Sequence, residues 1–200
     1  MLDIRPAVRR IGVLEAFEPI SAGTRISIRT LPAAARFALR LSPEIASSMR
    51  QLAGMDITRS INRASFSDDR IAARLGPDEW ILIAPEPHHA AVLSQASAQL
   101  SPYHHALVDI SHRNIAIEVS GGAAADVINA GCPIDLNDDQ FAPGHSTRTL
   151  LGKTEIILMR LSDTKLADGS SSARYRIECW RSFGPYLQRF LVGAAQECVG

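Results

Sequence analysis

The sequence lacks the features that would stabilise a domain without a core, and it lacks an obvious marker of a partner. Only three cysteines occur, Cys132, Cys179 and Cys198. An odd number without metal-like spacing points to neither a disulfide framework nor a zinc site, and no metal site is expected. No sign of charge dominates: 21 Lys and Arg face 21 Asp and Glu, for a formal net charge of zero. Nucleic-acid binders usually carry a clustered basic surplus that displaces counterions from phosphates, and with no such block here nucleic acid is not an expected partner. No apolar run approaches the roughly 20 residues of a membrane span. The segment Met1-Leu2-Asp3-Ile4-Arg5-Pro6 has no export-type cleavage pattern. These absences lead to the expectation of a cytoplasmic chain with no membrane partner.

What is present is an ordinary globular composition, 46% hydrophobic and 21% charged over 200 residues. A chain of this length buries a sizeable core without cross-links. Near-zero net charge gives little colloidal repulsion and is compatible with life inside a complex. Residues 1–24, interrupted by Pro6, Pro19 and Gly23, read as an arm; residues 25–200 read as one domain. The apolar residues Ile11, Val13, Leu14, Phe17 and Ile20 imply that the arm packs on something, a partner being one candidate.

Two stretches share a layout. Arg36 to Leu41 alternates like a strand, and Ser42-Pro43-Glu44 supplies an N-cap and a first-turn proline. The helix that follows is expected to stop near Ala53-Gly54. In the second stretch, Ile115 to Ser120 reads as a strand, then Gly121-Gly122 opens a helix to Ala130-Gly131. Later, Leu75-Gly76 and Leu151-Gly152 each read as a tight turn into a buried strand. Gly54 to Gly131 is 77 positions and Gly76 to Gly152 is 76, a nearly constant offset. An Ala-rich helix over Pro87 to Leu100 follows the first pair of strands. A polar loop from Ser162 to Ala173, a strand to Trp180 and a helix from Pro185 to Glu197 follow the second. The pattern predicts an α+β fold of duplicated ferredoxin-like strand-helix-strand units, with helices on one sheet face.

Five segments in order carry a family resemblance. They are Leu75-Gly76-Pro77-Asp78-Glu79-Trp80, Asp109-Ile110-Ser111-His112-Arg113-Asn114 and Ala130-Gly131-Cys132-Pro133-Ile134-Asp135-Leu136, then Thr147 to Glu155 and Cys179-Trp180-Arg181-Ser182-Phe183. Together they resemble the gamma subunits of heterotetrameric sarcosine oxidases. That family is in turn similar to the folate-binding domain of the glycine-cleavage T-protein, most clearly in Asp109-Ile110-Ser111-His112 and Glu118-Val119-Ser120-Gly121. The resemblance implies an accessory subunit of an enzyme that demethylates sarcosine oxidatively to glycine. Hydrogen peroxide and a one-carbon unit passed to tetrahydrofolate are the other products. It implies alpha, beta and delta subunits as partners. FAD, FMN, NAD and tetrahydrofolate are expected on those subunits and no cofactor on this chain alone. The equivalent subunit of an N-methylglutamate dehydrogenase, a stand-alone tetrahydrofolate-binding transferase and a homo-oligomeric binding module are the alternatives.

No catalytic residue is assigned. T-proteins of this type carry a key Asp on the strand after the glycine turn. Here Gly152-Lys153-Thr154-Glu155-Ile156-Ile157 has none, although Glu155 is the substitute to weigh. The chain is also expected to end where a full T-protein would continue. Adjacent residues point apart on helices and strands, so His88-His89 and His104-His105 do not naturally chelate one ion. His112 lacks a Gly-x-Ser-x-Gly nucleophile elbow. Gly121-Gly122 is a possible anion turn but lacks the dinucleotide pattern, and Cys132 reads as a buried thiol. The run Trp180-Arg181-Ser182-Phe183 has the composition of interface hot spots. Trp180, Arg181 and Phe183, with Arg148, are therefore the candidate partner interface, against the plainer reading of two core aromatics.

Overall fold

The computed structural model describes residues 12–199, apart from 15, 16, 167, 168 and 170. Met1 to Ile11 of the expected arm lie outside the described residues. The chain opens with β1 (Ile20–Ala22), β2 (Ile26–Thr30) and β3 (Ala34–Leu41), then α1 (Pro43–Met49), β4 (Gln51–Leu52) and β5 (Met55–Asp56). Next come β6 (Arg63–Ser67), β7 (Arg70–Arg74), β8 (Glu79–Pro85), α2 (His89–Leu100) and β9 (His105–Asp109). The second half holds β10 (Asn114–Ser120), α3 (Ala124–Asn129), β11 (Ser146–Leu151) and β12 (Thr154–Arg160). It closes with β13 (Thr164–Lys165), β14 (Ser171–Ser172), β15 (Arg174–Trp180) and α4 (Gly184–Val199).

Ser42 caps α1 as its sequence implies, its hydroxyl accepting from the Ile45 amide at 3.3 Å. The helix nevertheless stops at Met49, four residues early. Arg50 takes a positive φ of 63° as the cap, and the chain turns straight into the β4–β5 hairpin. Its tip is Ala53-Gly54, with φ of 46° and 78°. Two successive left-handed residues are what a two-residue hairpin turn requires, so Gly54 serves a strand turn and not a helix stop. The expected loop over 162–173 likewise contains a short hairpin, β13 with β14.

Among the described residues the strands form two antiparallel sheets of consequence. The first-half sheet runs β6-β7-β8-β3-β9, and the second-half sheet runs β1-β2-β10-β15-β12-β11. Period-two alternation decides the layers. On β3, Phe37, Leu39 and Leu41 join Trp80 and Leu82 of β8 beneath Val92, Ala96 and Leu100 of α2. On β15, Tyr175, Ile177 and Cys179 join Ile117, Val119, Ile156 and Leu158 beneath α3 and α4. Each sheet is thus covered by helices on its outer face. The inner faces meet each other through Ile81 and Ile83 on one side and Ile157 and Met159 on the other. The helices cover one face of each of two sheets, where the sequence pattern predicted a single sheet.

Backbone hydrogen bonds and a buried ion cluster help to join the layers. At one margin Ala64 donates its amide to Gly144 O at 2.8 Å and Ser146 donates to Asn62 O at 3.0 Å, sewing β6 to the start of β11. Between the sheets, Arg36 of β3 and Glu178 of β15, 2% and 1% exposed, meet at 2.6 Å. Arg176 donates to the other Glu178 oxygen at 2.9 and 2.6 Å. Buried ions are tolerated only when paired and hydrogen-bonded in this way. Leu14 is buried in the second-half core, with Val13, Phe17 and Ile20 against it, so the described part of residues 12–24 packs on this chain. Among the described residues no helix is long and apolar enough to cross a membrane.

Candidate partner interface

The end of the second-half sheet gathers most of the residues singled out by sequence. Trp180 finishes β15 opposite Asn114 of β10. On its other side β15 pairs with β12 up to Cys179–Ile156, and Leu150 of β11 pairs with Glu155 of β12. Leu150, Glu155 and Trp180 therefore form a row across three strand ends, at about 4.8 Å per strand. Trp180 is 50% exposed and Leu150 52%. Phe183, in the turn Arg181–Phe183, sets its ring 6.4 Å from that of Trp180 and is itself exposed.

Tyr186, in the first turn of α4, adds a third exposed ring, and its hydroxyl accepts from the Lys153 amide at 3.1 Å. The Arg113 guanidinium lies over Trp180 at 5.7 Å, and Arg113 O accepts from the Arg181 amide at 2.8 Å. Of the two aromatics in Trp180-Arg181-Ser182-Phe183, neither is core. Sequence reasoning missed Leu150, Tyr186 and Arg113. Tyr186 shares helical spacing with buried Leu191, and the only signal for Leu150 was its register two positions from Arg148.

Arg148 is placed at the rim of this face with its charge already engaged. Its Nη2 and Nη1 donate to the two oxygens of Glu79 at 2.6 and 3.3 Å, a bidentate grip across the two sheets. Arg40 adds a contact to Glu79 at 3.2 Å and to Asp78 at 2.8 Å. The hydrogen bond from Arg148 holds the Glu79 carboxyl below its ordinary value, and the same bond raises Arg148. Glu155, the substitute weighed for a catalytic acid, is largely exposed and lies 3.6 Å from Arg148.

The remaining candidates have local roles. His89 Nε2 lies 2.8 Å from Asp109 Oδ2, and the Ser111 hydroxyl donates to Asp109 Oδ1 at 2.6 Å. Burial opposes ionisation of Asp109, but the Ser111 hydroxyl and amide and His89 outweigh it and hold the carboxyl at about 2. The serine hydroxyl points at the carboxylate and not at an imidazole, so no nucleophile is activated. His88 is 3.7 Å from Asp69, and His105 Nδ1 lies on Tyr103 O. Among the described residues no cluster of three His, Cys, Asp or Glu is placed to hold a metal.

The amides of Gly121, Gly122 and Ala123 donate to Ala173 O, Thr24 O and Arg25 O, which closes the glycine turn to an anion. Gly121 is required there, since a Cβ would stand 2.4 Å from Arg25 O and its φ is 125°. Cys132 and Cys179 are buried, and burial first, then Glu178, pushes the Cys179 thiol up to about 12.

The space between the sheets is filled by Ile81, Ile83, Ile157, Met159 and the Arg36–Glu178 pair. The cleft beside His89 and Asp109 holds about 200 Å3, below the roughly 300 Å3 where ligand pockets begin. A larger cleft beside Arg63 has no aromatic wall for a pterin ring. Among the described residues neither cleft combines the volume and the aromatic wall that a pterin ring needs.

Comparison with known proteins bears on the family and the fold. The family model described as "Sarcosine oxidase, gamma subunit family" matches residues 40–197. The chain is 27% identical over 145 residues to a sarcosine oxidase subunit gamma of Corynebacterium sp. (strain P-1), covering 72% of this chain. The match spans 66% of that relative, just under two thirds of its length. A heterotetrameric sarcosine oxidase from Corynebacterium sp. U-96, in complex with pyrrole 2-carboxylate, has a chain of the same fold. The TM-score is 0.80 at 22% identity, covering 96% of this chain and 97% of that one. The glycine cleavage system aminomethyltransferase T from Bartonella henselae shares the fold at a TM-score of 0.65 and 14% identity, over 85% of this chain and 46% of that one.

Proposed function

We propose, because the chain belongs to the sarcosine oxidase gamma subunit family, that it is an accessory subunit of a heterotetrameric oxidase and supplies no catalytic residue. The observation that carries this reading is the contrast between a site and a surface. The His89–Asp109–Ser111 group has no activated nucleophile, while three aromatic rings stand exposed at one sheet end. Exposed aromatics beside arginines are the composition of interface hot spots. Trp180, Phe183, Tyr186 and Leu150 form the apolar centre of the docking face. Arg113, Arg181 and Arg148 form its cationic rim, and a partner carboxylate reaching Arg148 competes with Glu79.

The partners are the alpha, beta and delta subunits, in the cytoplasm. The larger subunits hold FAD, FMN, NAD and tetrahydrofolate. The assembled enzyme demethylates sarcosine to glycine, with hydrogen peroxide and a one-carbon unit as the other products. Co-expression of the tagged chain with the flavin-bearing subunits of the same genome tests this. The expected result is a yellow complex that oxidises sarcosine and no activity in the chain alone. Stoichiometric tetrahydrofolate binding by the chain alone, lost in Glu155→Gln, overturns it in favour of a transferase. A yellow complex active on N-methylglutamate and not on sarcosine moves the substrate and leaves the accessory role.

A further inference from the structure

We propose that the cleft at the seam between the two sheets binds a small molecule by an oxyanion, with Arg63 as the principal ligand and Arg59 as the second. The cleft holds about 430 Å3, within the roughly 300–1,000 Å3 of small-molecule sites. Thr58, Arg59, Ser60 and Arg63 line one wall, and Pro143 and Gly144 line the other. It lies where Ala64 donates to Gly144 O and Ser146 to Asn62 O, so its two walls come from the two halves of the chain.

The charges there are out of balance. Asp56 is the carboxylate at hand, and it is shared among Arg59 at 3.2 Å, the Thr58 amide at 2.8 Å and the Thr58 hydroxyl at 2.6 Å. Arg63 has no carboxylate partner among the described residues. Its Nη1 instead faces His145 Nδ1 at 3.1 Å, and that same nitrogen lies 2.9 Å from Ala142 O. A ring nitrogen that donates to the carbonyl has no lone pair for Arg63. One that accepts from Arg63 sets its lone pair against the carbonyl oxygen. In either state one contact is repulsive, and Ala142 O already accepts from the His145 amide at 3.0 Å.

An oxyanion in the cleft draws the guanidinium off His145, lets Nδ1 donate to Ala142 O and neutralises the surplus charge. The fork of a guanidinium matches carboxylate and phosphate oxygens, and the exposed Ser60 hydroxyl is in place to donate as well. No aromatic ring lines the cleft, so a polar anion is favoured over a flavin or pterin ring.

Calorimetric titration of the full-length chain with inorganic phosphate and with citrate, at constant ionic strength, tests the site. Saturable binding of at least one is expected, and the tighter of the two tells a phosphoryl ligand from a carboxylate one. R63Q is expected to weaken it by roughly tenfold or more, the value of one charge-assisted hydrogen bond. R59Q is expected to weaken it several-fold, and R189Q, altering a cation on α4 over Phe17, not at all. If R63Q fails to fold, the exposed R59Q decides. No saturable heat with either anion overturns the proposal. So does equal weakening by R189Q, or binding by the chain alone that vanishes in the assembled complex, which would make the cleft a partner's seat.

Discussion

Leu75-Gly76 and Leu151-Gly152 hold corresponding places in the two halves, each leading into the second strand of a hairpin, but they are finished in different ways. Gly76 donates its amide to Glu79 O, and the Glu79 side chain is taken by Arg148 and Arg40. Gly152 donates to Gly131 O, and the Tyr186 hydroxyl caps the next amide from α4. The first turn is closed by ions that satisfy one another inside the chain. The second is closed by an aromatic helix start whose neighbouring rings, Trp180 and Phe183, stay in water. One scaffold used twice therefore yields an end that is complete by itself and an end with apolar area still to bury.

Substitutions can break this comparison at several levels. Glu178→Ala removes the ion that joins both halves and strands Arg36 and Arg176 between the sheets. A loss of about 3–5 kcal/mol is expected in urea unfolding. Gly152→Ala strikes only the second half, because Gly152 has a φ of 59° and its Cβ would stand 2.5 Å from the Tyr186 hydroxyl. A cost of about 1–3 kcal/mol is expected from overpacking. Gly76→Ala, the counterpart in the first half, meets only the Glu79 side chain at 3.4 Å and is expected to change stability by less than about 0.5 kcal/mol. Equal losses at the two glycines would show that the halves are finished alike.

Smaller effects sharpen the ionic side. Arg148→Ala opens the half-exposed bridge to Glu79, for about 1 kcal/mol or less, shrinking further in high salt. Asp109, held at about 2 against an ordinary 3.8, contributes stability that is fully present above the ordinary value and is lost as pH falls through about 2. The stability difference between wild type and Asp109→Asn is therefore expected to be constant from pH 7 to about 5 and to close toward pH 2, followed by acid unfolding at several pH values.

Much of this was legible in the residues. The strand of Arg36 to Leu41, the Ser42 cap, the Leu-Gly turns, the helices at Pro87–Leu100 and Pro185–Glu197 and the α+β class all follow from period and punctuation. The end of α1 was not, because Ala-Gly reads equally as a helix stop or as a two-residue hairpin turn. Only the neighbouring pairing of Leu52 with Met55 decides between them. Nor could one sequence show two sheets packed face to face, since Arg36 and Glu178 lie 142 positions apart. Of the candidate interface, Trp180 and Phe183 are singled out by composition. Arg148 is singled out as well, but its partner Glu79 lies in the other half and leaves no local sign.

We propose the Trp180 end as the docking face. The most direct test is co-purification of wild type and of the Trp180→Ala/Phe183→Ala double variant with the flavin-bearing subunits of the same genome. Both rings are about half exposed, so the variant is expected to stay folded with a stability loss of about 1–3 kcal/mol. Recovery of the complex is expected to fall by roughly tenfold or more, as loss of two hot-spot rings implies. Undiminished recovery with the folded double variant would contradict the claim.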